Sequence, residues 1–430
     1  MDYQSRLLKA IPGGAHTYSR GQDQFPSNAP ALLKNGKGAY VYDQSGNKYL
    51  DYGMGLRSVV LGYAEDEVDL AAFQQIKNGN NLTRPSFVEL EAAELFIDLI
   101  DSVDMVKFTK NGSTAVSAAV KLARAYTGRE MVVRCAEQPF FSFDDWFIGS
   151  TEIKLGVTKD AIEKTKTFKF NDSSSFEELL NEYPNQIACI VMEPATTVEP
   201  LPGFFKKVED LCKKNGVIFI LDEMITGFRW HLKGAQFLYG INPDLCTFGK
   251  AMANGFSLAA IGGRREIMEL GSIETIGKER VFLLSTTHGA EMGPLGAFIS
   301  TVNFMKRNDV INHLWNYGSS LKAMLNHKAK LFGIDKSFKA FGIDCSPSYS
   351  ILDQDGNNCL GLRTLFIQEM VKSNILLPWI ALTFSHGKKE LQTTEIAIDK
   401  AFATYRLALE SSYENYLDGP VIKPVFRRFN

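Results

Sequence analysis

The sequence predicts an α/β protein: a three-layer domain with helices on both faces of a mostly parallel central sheet, joined to a smaller α+β domain. Two observations carry this. Short, almost wholly apolar runs recur at Met131–Cys135, Ile187–Met192, Val217–Leu221 and Leu258–Ile261, and strands covered on both faces read that way. Helical stretches alternate with them, which places helices across a parallel sheet.

The first sixty residues are rich in turn signals, at Gly13-Gly14, Asn35-Gly36, Lys37-Gly38 and Ser45–Asn47. Among them Ala39–Asp43 and Lys48–Tyr52 flank a short turn and read as a hairpin. Leu90, Ala93, Leu95, Phe96 and Ile100 give Glu89–Ile100 helical spacing. Ser113–Tyr126 is a second helix, with Ala115, Ala118, Ala119, Leu122 and Ala123 inward and Gly128 as its C-cap. Phe204–Lys214 is amphipathic and stops at Asn215-Gly216. Beyond residue 305 the pattern is helical, then mixed, and closes in a helix over Thr394–Ser411. Three regions follow: an N-terminal segment 1–65 contributing to the small domain and a dimer contact, a large domain 66–305 and a small C-terminal domain 306–430.

Lys and Arg number 47 against 49 Asp and Glu in 430 residues, a net charge of −2. No basic field therefore attracts nucleic acid or anionic lipid. No apolar run approaches the roughly 20 residues of a membrane-spanning helix, and no signal peptide is read at the N-terminus. Six cysteines, Cys135, Cys189, Cys212, Cys246, Cys345 and Cys359, show no C-x-x-C spacing. Reduced thiols in a cytoplasmic protein are expected. His16, His288 and His386 are isolated, so no metal site is expected.

Three places carry chemistry. Asp222 and Glu223 follow the apolar run Val217–Leu221, where a buried acid needs a cationic or hydrogen-bonding partner. Lys250, framed by Asp244–Gly249 and the small-residue run Ala251–Gly255, is a partly desolvated amine. Lys110–Thr114 is a small-residue turn opening a helix, suited to a phosphate. Singly, these read as a loop start, a surface lysine and a helix N-cap. Together, an amine, a carboxylate for a ring nitrogen and a phosphate cup are the handles of pyridoxal phosphate.

The stretch Phe219–Arg229 with its D-E-x-x-x-G-F-R pattern, Pro243–Lys250 and Gly262–Arg264 resembles the signature of the class III aminotransferases. Ile11–Gly14, Met105–Phe108 and Lys121–Glu130 extend the resemblance along most of the chain, closest to the glutamate-1-semialdehyde 2,1-aminomutase-like branch. It implies the pyridoxal-phosphate-dependent transferase fold type I and a homodimer with shared active sites. Lys250 is then the residue of the internal aldimine (the Schiff base) and the proton shuttle, and Asp222 the partner of the pyridine nitrogen. Asn111, Gly112 and Ser113 form the phosphate site, Thr287 reaches the phosphate from the neighbouring subunit, and Met224 packs on one ring face. The family's stacking tyrosine is replaced by Gln138–Ser142, where Phe140 is expected to stack in preference to Phe141. A cofactor-contacting asparagine of the family falls near Val198 and is lost.

For the substrate, Arg20 falls on an arginine that clamps a carboxylate, and Thr17 on a substrate-side hydroxyl. Arg57 replaces a small residue, and serves either a second anionic group or a salt bridge at the dimer contact. The Pro12–Pro26 pattern is also similar to family members acting on sugar-like or polyol-derived carbonyls. The mutase's Gly/Ser-rich lid corresponds here to Phe147–Val157, which is shorter and poorer in glycine. The expected function is therefore intermolecular: an amino group passes from an amino-acid donor to a small aldehyde or ketone. The aminomutase reaction is the alternative, and a non-catalytic cofactor-binding homologue the remote one.

Overall fold

In the computed structural model, which describes residues 2–274 and 276–429, thirteen strands form among the described residues. In chain order they are β1 (Leu33–Lys37), β2 (Tyr40–Asp43), β3 (Lys48–Asp51), β4 (Met105–Thr109), β5 (Met131–Cys135), β6 (Thr165–Phe168) and β7 (Ile187–Met192). They continue as β8 (Ile218–Asp222), β9 (Leu245–Phe248), β10 (Ala259–Gly263), β11 (Phe338–Ile343), β12 (Ser346–Ile351) and β13 (Ile375–Leu376). Two units divide the chain: residues up to Glu65 with Asn312–Arg427, and Asp66–Ile311 with Arg428 and Phe429.

The larger unit holds a seven-stranded sheet in the order β4-β10-β9-β8-β7-β5-β6. Strands β6, β5, β7, β8 and β9 pair in parallel, while β10 runs antiparallel to both β9 and β4. The mostly parallel sheet expected from the apolar runs is present. Every residue of β5, β7, β8, β9 and β10 is buried, because helices cover both faces. Helix Gly112–Thr127 turns its alanine-rich face to the sheet, where small side chains permit close approach. Phe96, on helix Phe87–Leu99, sits among Phe108, Phe228, Phe248 and Phe298, with ring centroids 5.2–6.3 Å from its own. This aromatic cluster anchors β4, β9 and the helix Met292–Arg307 to one another.

In the other unit β2 and β3 form the expected hairpin. An additional strand, β1, pairs with β2, and β13 joins β3 in parallel. Strand β1 escapes sequence reading because its side chains are mostly exposed and show no apolar alternation. Strands β11 and β12 make a second hairpin, and helices Leu360–Lys372 and Lys388–Glu410 follow. Tyr52 hydroxyl lies 2.8 Å from that of Tyr317 and 2.7 Å from Thr394 Oγ1. His386 stacks on Tyr52 at 4.6 Å and meets Thr383 Oγ1 through Nδ1 at 2.9 Å. Burial drives its imidazole down to about 4, so it is neutral and structural at pH 7.

Candidate active site

Asp222 ends β8 opposite Thr247 of β9, at the carboxyl ends of the parallel strands, where such sheets place their ligands. Its Oδ1 accepts the Met224 backbone N–H at 2.9 Å and the Thr247 hydroxyl at 3.2 Å. Oδ2 accepts no hydrogen bond among the described residues. Burial pushes the carboxyl up to about 6, while the Met224 N–H, the Lys250 charge and the Thr247 hydroxyl pull it the other way. Lys250 is therefore within electrostatic reach of Asp222. The next residue, Glu223, is satisfied instead. It accepts from Thr226 Oγ1, from the Ala235 N–H at 2.9 Å and from the Gln236 N–H at 2.7 Å. Burial raises it to about 7, and it fastens the loop that follows β8.

Lys250 stands two residues after β9 and is half-buried, with its backbone at φ +43°, the left-handed region a non-glycine residue enters at a cost. Met224, buried, occupies the space beside it. A Cβ on Gly249 would come within 2.6 Å of the Met224 sulfur, and one on Gly112 within 2.8 Å. Neither position therefore accepts a side chain while Met224 keeps its place. Ser257 Oγ donates to the Lys110 carbonyl at 2.6 Å, tying the segment after Lys250 to the end of β4. The structure thus brings Asp222, Met224, Lys250 and the Lys110–Ser113 turn together.

Asn111 caps helix Gly112–Thr127 by accepting the Thr114 N–H through Oδ1 at 3.0 Å. The Ala115 N–H goes to the Asn111 carbonyl at 3.3 Å. The N–H groups of Gly112 and Ser113 have no hydrogen-bond partner among the described residues and stand at the positive end of the helix. Ser113 Oγ accepts the Phe143 N–H at 3.2 Å, which brings the aromatic segment to the turn. There Phe141 is buried in the core, whereas Phe140 is 48% exposed and packs edge-on to Phe147 at 5.6 Å. Phe143, 62% exposed, is an aromatic neighbour of the turn that sequence reading missed. Nothing in the run Phe140–Phe143 distinguishes which rings face out.

Thr287 is exposed, and its carbonyl accepts from Asn81 Nδ2 at 3.1 Å. Glu291, four residues on, is ion-paired with Lys110. Of the expected substrate residues, Arg20 lies on the wall of a cavity of about 580 Å³ in the smaller unit, with Asp51, Leu56, Tyr63 and Trp379. Thr17 is exposed and lies off that wall, as does Arg57, which is half-buried at φ +67°. Val198, where the family's asparagine is missing, is 56% exposed.

Residues 19–336 match the family model described as Aminotransferase class-III. A glutamate-1-semialdehyde 2,1-aminomutase of Francisella philomiragia is 33% identical over 348 residues, covering 78% of this chain and 79% of that protein. Among solved structures, the FumI protein of Sphingopyxis sp. MTA144 in its PLP internal aldimine form superposes with a TM-score of 0.86 at 23% identity, over 95% and 97% of the two chains. A glutamate-1-semialdehyde aminomutase of Pseudomonas aeruginosa PAO1 gives 0.82 at 20%, over 94% of each.

The raised carboxyl of Asp222 has a measurable consequence. Its folded pKa, about 6, lies above its ordinary 3.8. The burial cost is absent below about pH 4, grows as pH rises through 6 and is constant above that. In ligand-free protein, Asp222→Asn should therefore be more stable than the parent at pH 8, by about 2–3 kcal/mol in denaturant titrations. The gap should close near pH 4. Equal stability at pH 8 would refute the assignment.

Proposed function

Since the chain belongs to the class III aminotransferases, enzymes of fold type I that work with pyridoxal phosphate, we propose that it passes an amino group from an amino-acid donor to a small aldehyde or ketone. The observation that carries this reading is Asp222, buried, with one open carboxylate oxygen and the Lys250 amine within electrostatic reach. A protonated ring nitrogen suits that oxygen, and a phosphate suits the two open N–H groups of the helix N-terminus. The residues present fit the cofactor.

Pyridoxal phosphate, when bound, supplies an aldehyde that condenses with amines and a ring that draws off the electrons left when a substrate carbon loses its proton. Asp222, through its open oxygen, would accept the ring N–H and keep the proton on that nitrogen, gaining the cation its burial lacks. Lys250 Nζ is the amine that holds the cofactor at rest. Freed, its amine would serve as the base that takes the proton from the substrate carbon and as the acid that returns it. The Gly112 and Ser113 N–H groups hold the phosphate. Asn111 acts by fixing the cap, since its Oδ1 is committed to Thr114. Met224 would hold one face of the ring and Phe140 the other. Arg20 takes the substrate carboxylate, Thr17 offers a hydroxyl, and Arg57 a second positive charge.

The aminomutase reaction is the second reading, favoured by the 33% identical relative. It needs a lid that retains the half-converted substrate. The first part of 147–157, up to Thr151, instead is tied down, while Leu155 beyond it is exposed. Arg134, itself buried, donates from Nε to Ser150 Oγ at 2.7 Å and from Nη2 to the Ser150 carbonyl at 3.0 Å. Thr151 Oγ1 donates to the Ile148 carbonyl at 2.8 Å. A segment fastened at its start and poor in glycine supports intermolecular transfer. A non-catalytic role would leave the Asp222–Lys250 pairing without a use.

A homodimer accounts for apolar side chains that the chain leaves in water. Leu70, Phe73 and Ile76 on helix Asp66–Lys77, with Phe87 and Leu90 on helix Phe87–Leu99, are all exposed, and single chains rarely leave so much apolar surface in water. Thr287 then serves the neighbouring subunit's phosphate. The free, mostly buried cysteines support a cytoplasmic setting, and among the described residues no helix is long and apolar enough to cross a membrane.

Three measurements test this reading. Glutamate semialdehyde supplied alone should give little 5-aminolevulinate, whereas an amino donor should release its keto acid; efficient conversion of the semialdehyde alone reverses the order of the two readings. Borohydride treatment should leave the cofactor's mass on the Lys250 peptide and none on Lys250→Ala, with activity falling at least about a thousandfold. Phe87→Glu should shift sedimentation toward a monomer; an unchanged dimer would place the interface elsewhere.

A further inference from the structure

We propose that the cavity of the smaller unit binds a carboxylate with an apolar body, an alkyl or aryl chain, and that such molecules are the preferred amino substrates. The proposal rests on the reading of Arg20 as the carboxylate-binding residue. The cavity's volume, about 580 Å³, lies within the roughly 300–1,000 Å³ of pockets that enclose drug-sized ligands, well beyond what a five-carbon semialdehyde fills.

The wall is graded. Leu7, Ile11, Phe25, Pro26, Val41 and Leu376 line it and are all buried or half-buried. The cationic or basic side chains on the same wall, His16, Arg20 and Lys34, are exposed. The Arg20 guanidinium makes no hydrogen bond or ion pair among the described residues; only its backbone N–H is used, on the Thr17 carbonyl at 2.8 Å. Of the enclosed polar groups, Asp51 already accepts the Gly53 N–H at 2.7 Å, the Met54 N–H at 3.1 Å and the Tyr63 hydroxyl at 2.7 Å. Trp379 spends its indole N–H on the Gly53 carbonyl at 3.0 Å. Of the half-buried polar side chains on the wall, Gln4 alone among the described residues has its amide unspent. A sugar or polyol drawn inside would therefore find too few partners for its several hydroxyls, and an unpaired buried hydroxyl is costly. An amphiphilic anion meets both ends: its carboxylate at the exposed cations, its chain against Leu7, Ile11 and Phe25.

The test uses holoenzyme and a series of amino acids with alkyl side chains lengthened one carbon at a time, each followed by loss of the cofactor absorbance band. KM should fall about three- to fourfold per added methylene until the cavity is full, with kcat little changed. Arg20→Gln should raise KM about tenfold or more across the series and keep its dependence on length. Ile11→Asn should flatten that dependence while short members keep their KM. A KM indifferent to chain length, or a preference for polyol-derived carbonyls, with the band still responding to amines, overturns the proposal and leaves the aminotransferase reading standing. A band that responds to no amine overturns both.

Discussion

Asp222 sits at the end of a fully buried strand with a carboxylate only half provided for, and the larger unit is arranged around that imbalance. Two hydrogen bonds reach Oδ1, and the Lys250 charge supplies the opposing field, yet burial still holds the group near 6. Three donors satisfy the adjacent Glu223, with no oxygen left open. Neighbours in sequence thus divide two tasks. Glu223 makes the loop after β8 rigid, and Asp222 remains an unfilled demand for a cation at a largely buried strand end. A site of this kind gives up stability in the ligand-free state and recovers it through the ligand.

The parallel sheet makes this arrangement possible. Strands covered on both faces can be apolar along their whole length, so polar chemistry collects where they end. β8 delivers Asp222, β9 leads into Lys250, and the turn after β4 opens a helix whose first N–H groups are unspent. All three converge because β4, β10, β9 and β8 are consecutive in the sheet, although far apart in sequence.

The strands β5, β7, β8 and β10 were legible because their apolar character is continuous, and helix Gly112–Thr127 because its alanines recur at helical spacing. Asp222, Lys250 and the turn at Lys110–Thr114 could be picked out only in combination, as an acid, an amine and a phosphate cup, since each alone reads as an ordinary loop start, surface lysine or helix N-cap. Strand β1 was hidden because an exposed edge strand carries no apolar signal. The seating of Met224 was hidden for another reason: it depends on the absence of side chains at Gly112 and Gly249, and a glycine read along the chain does not announce what fills its space. Phe143 likewise gains its place from a backbone hydrogen bond to Ser113, a contact written in no pattern of residues.

That seat has a consequence for how the enzyme can change. A thioether wedged against two bare α-carbons, contributed by three distant stretches of chain, ties those stretches into one unit of variation. A bulkier residue at 112 or 249 is admissible only with a slimmer one at 224, and a branched residue at 224 would press on both glycines at once. Diversification that samples these positions one by one will find each of them frozen, whereas sampling them as a trio reaches altered shapes of the same seat.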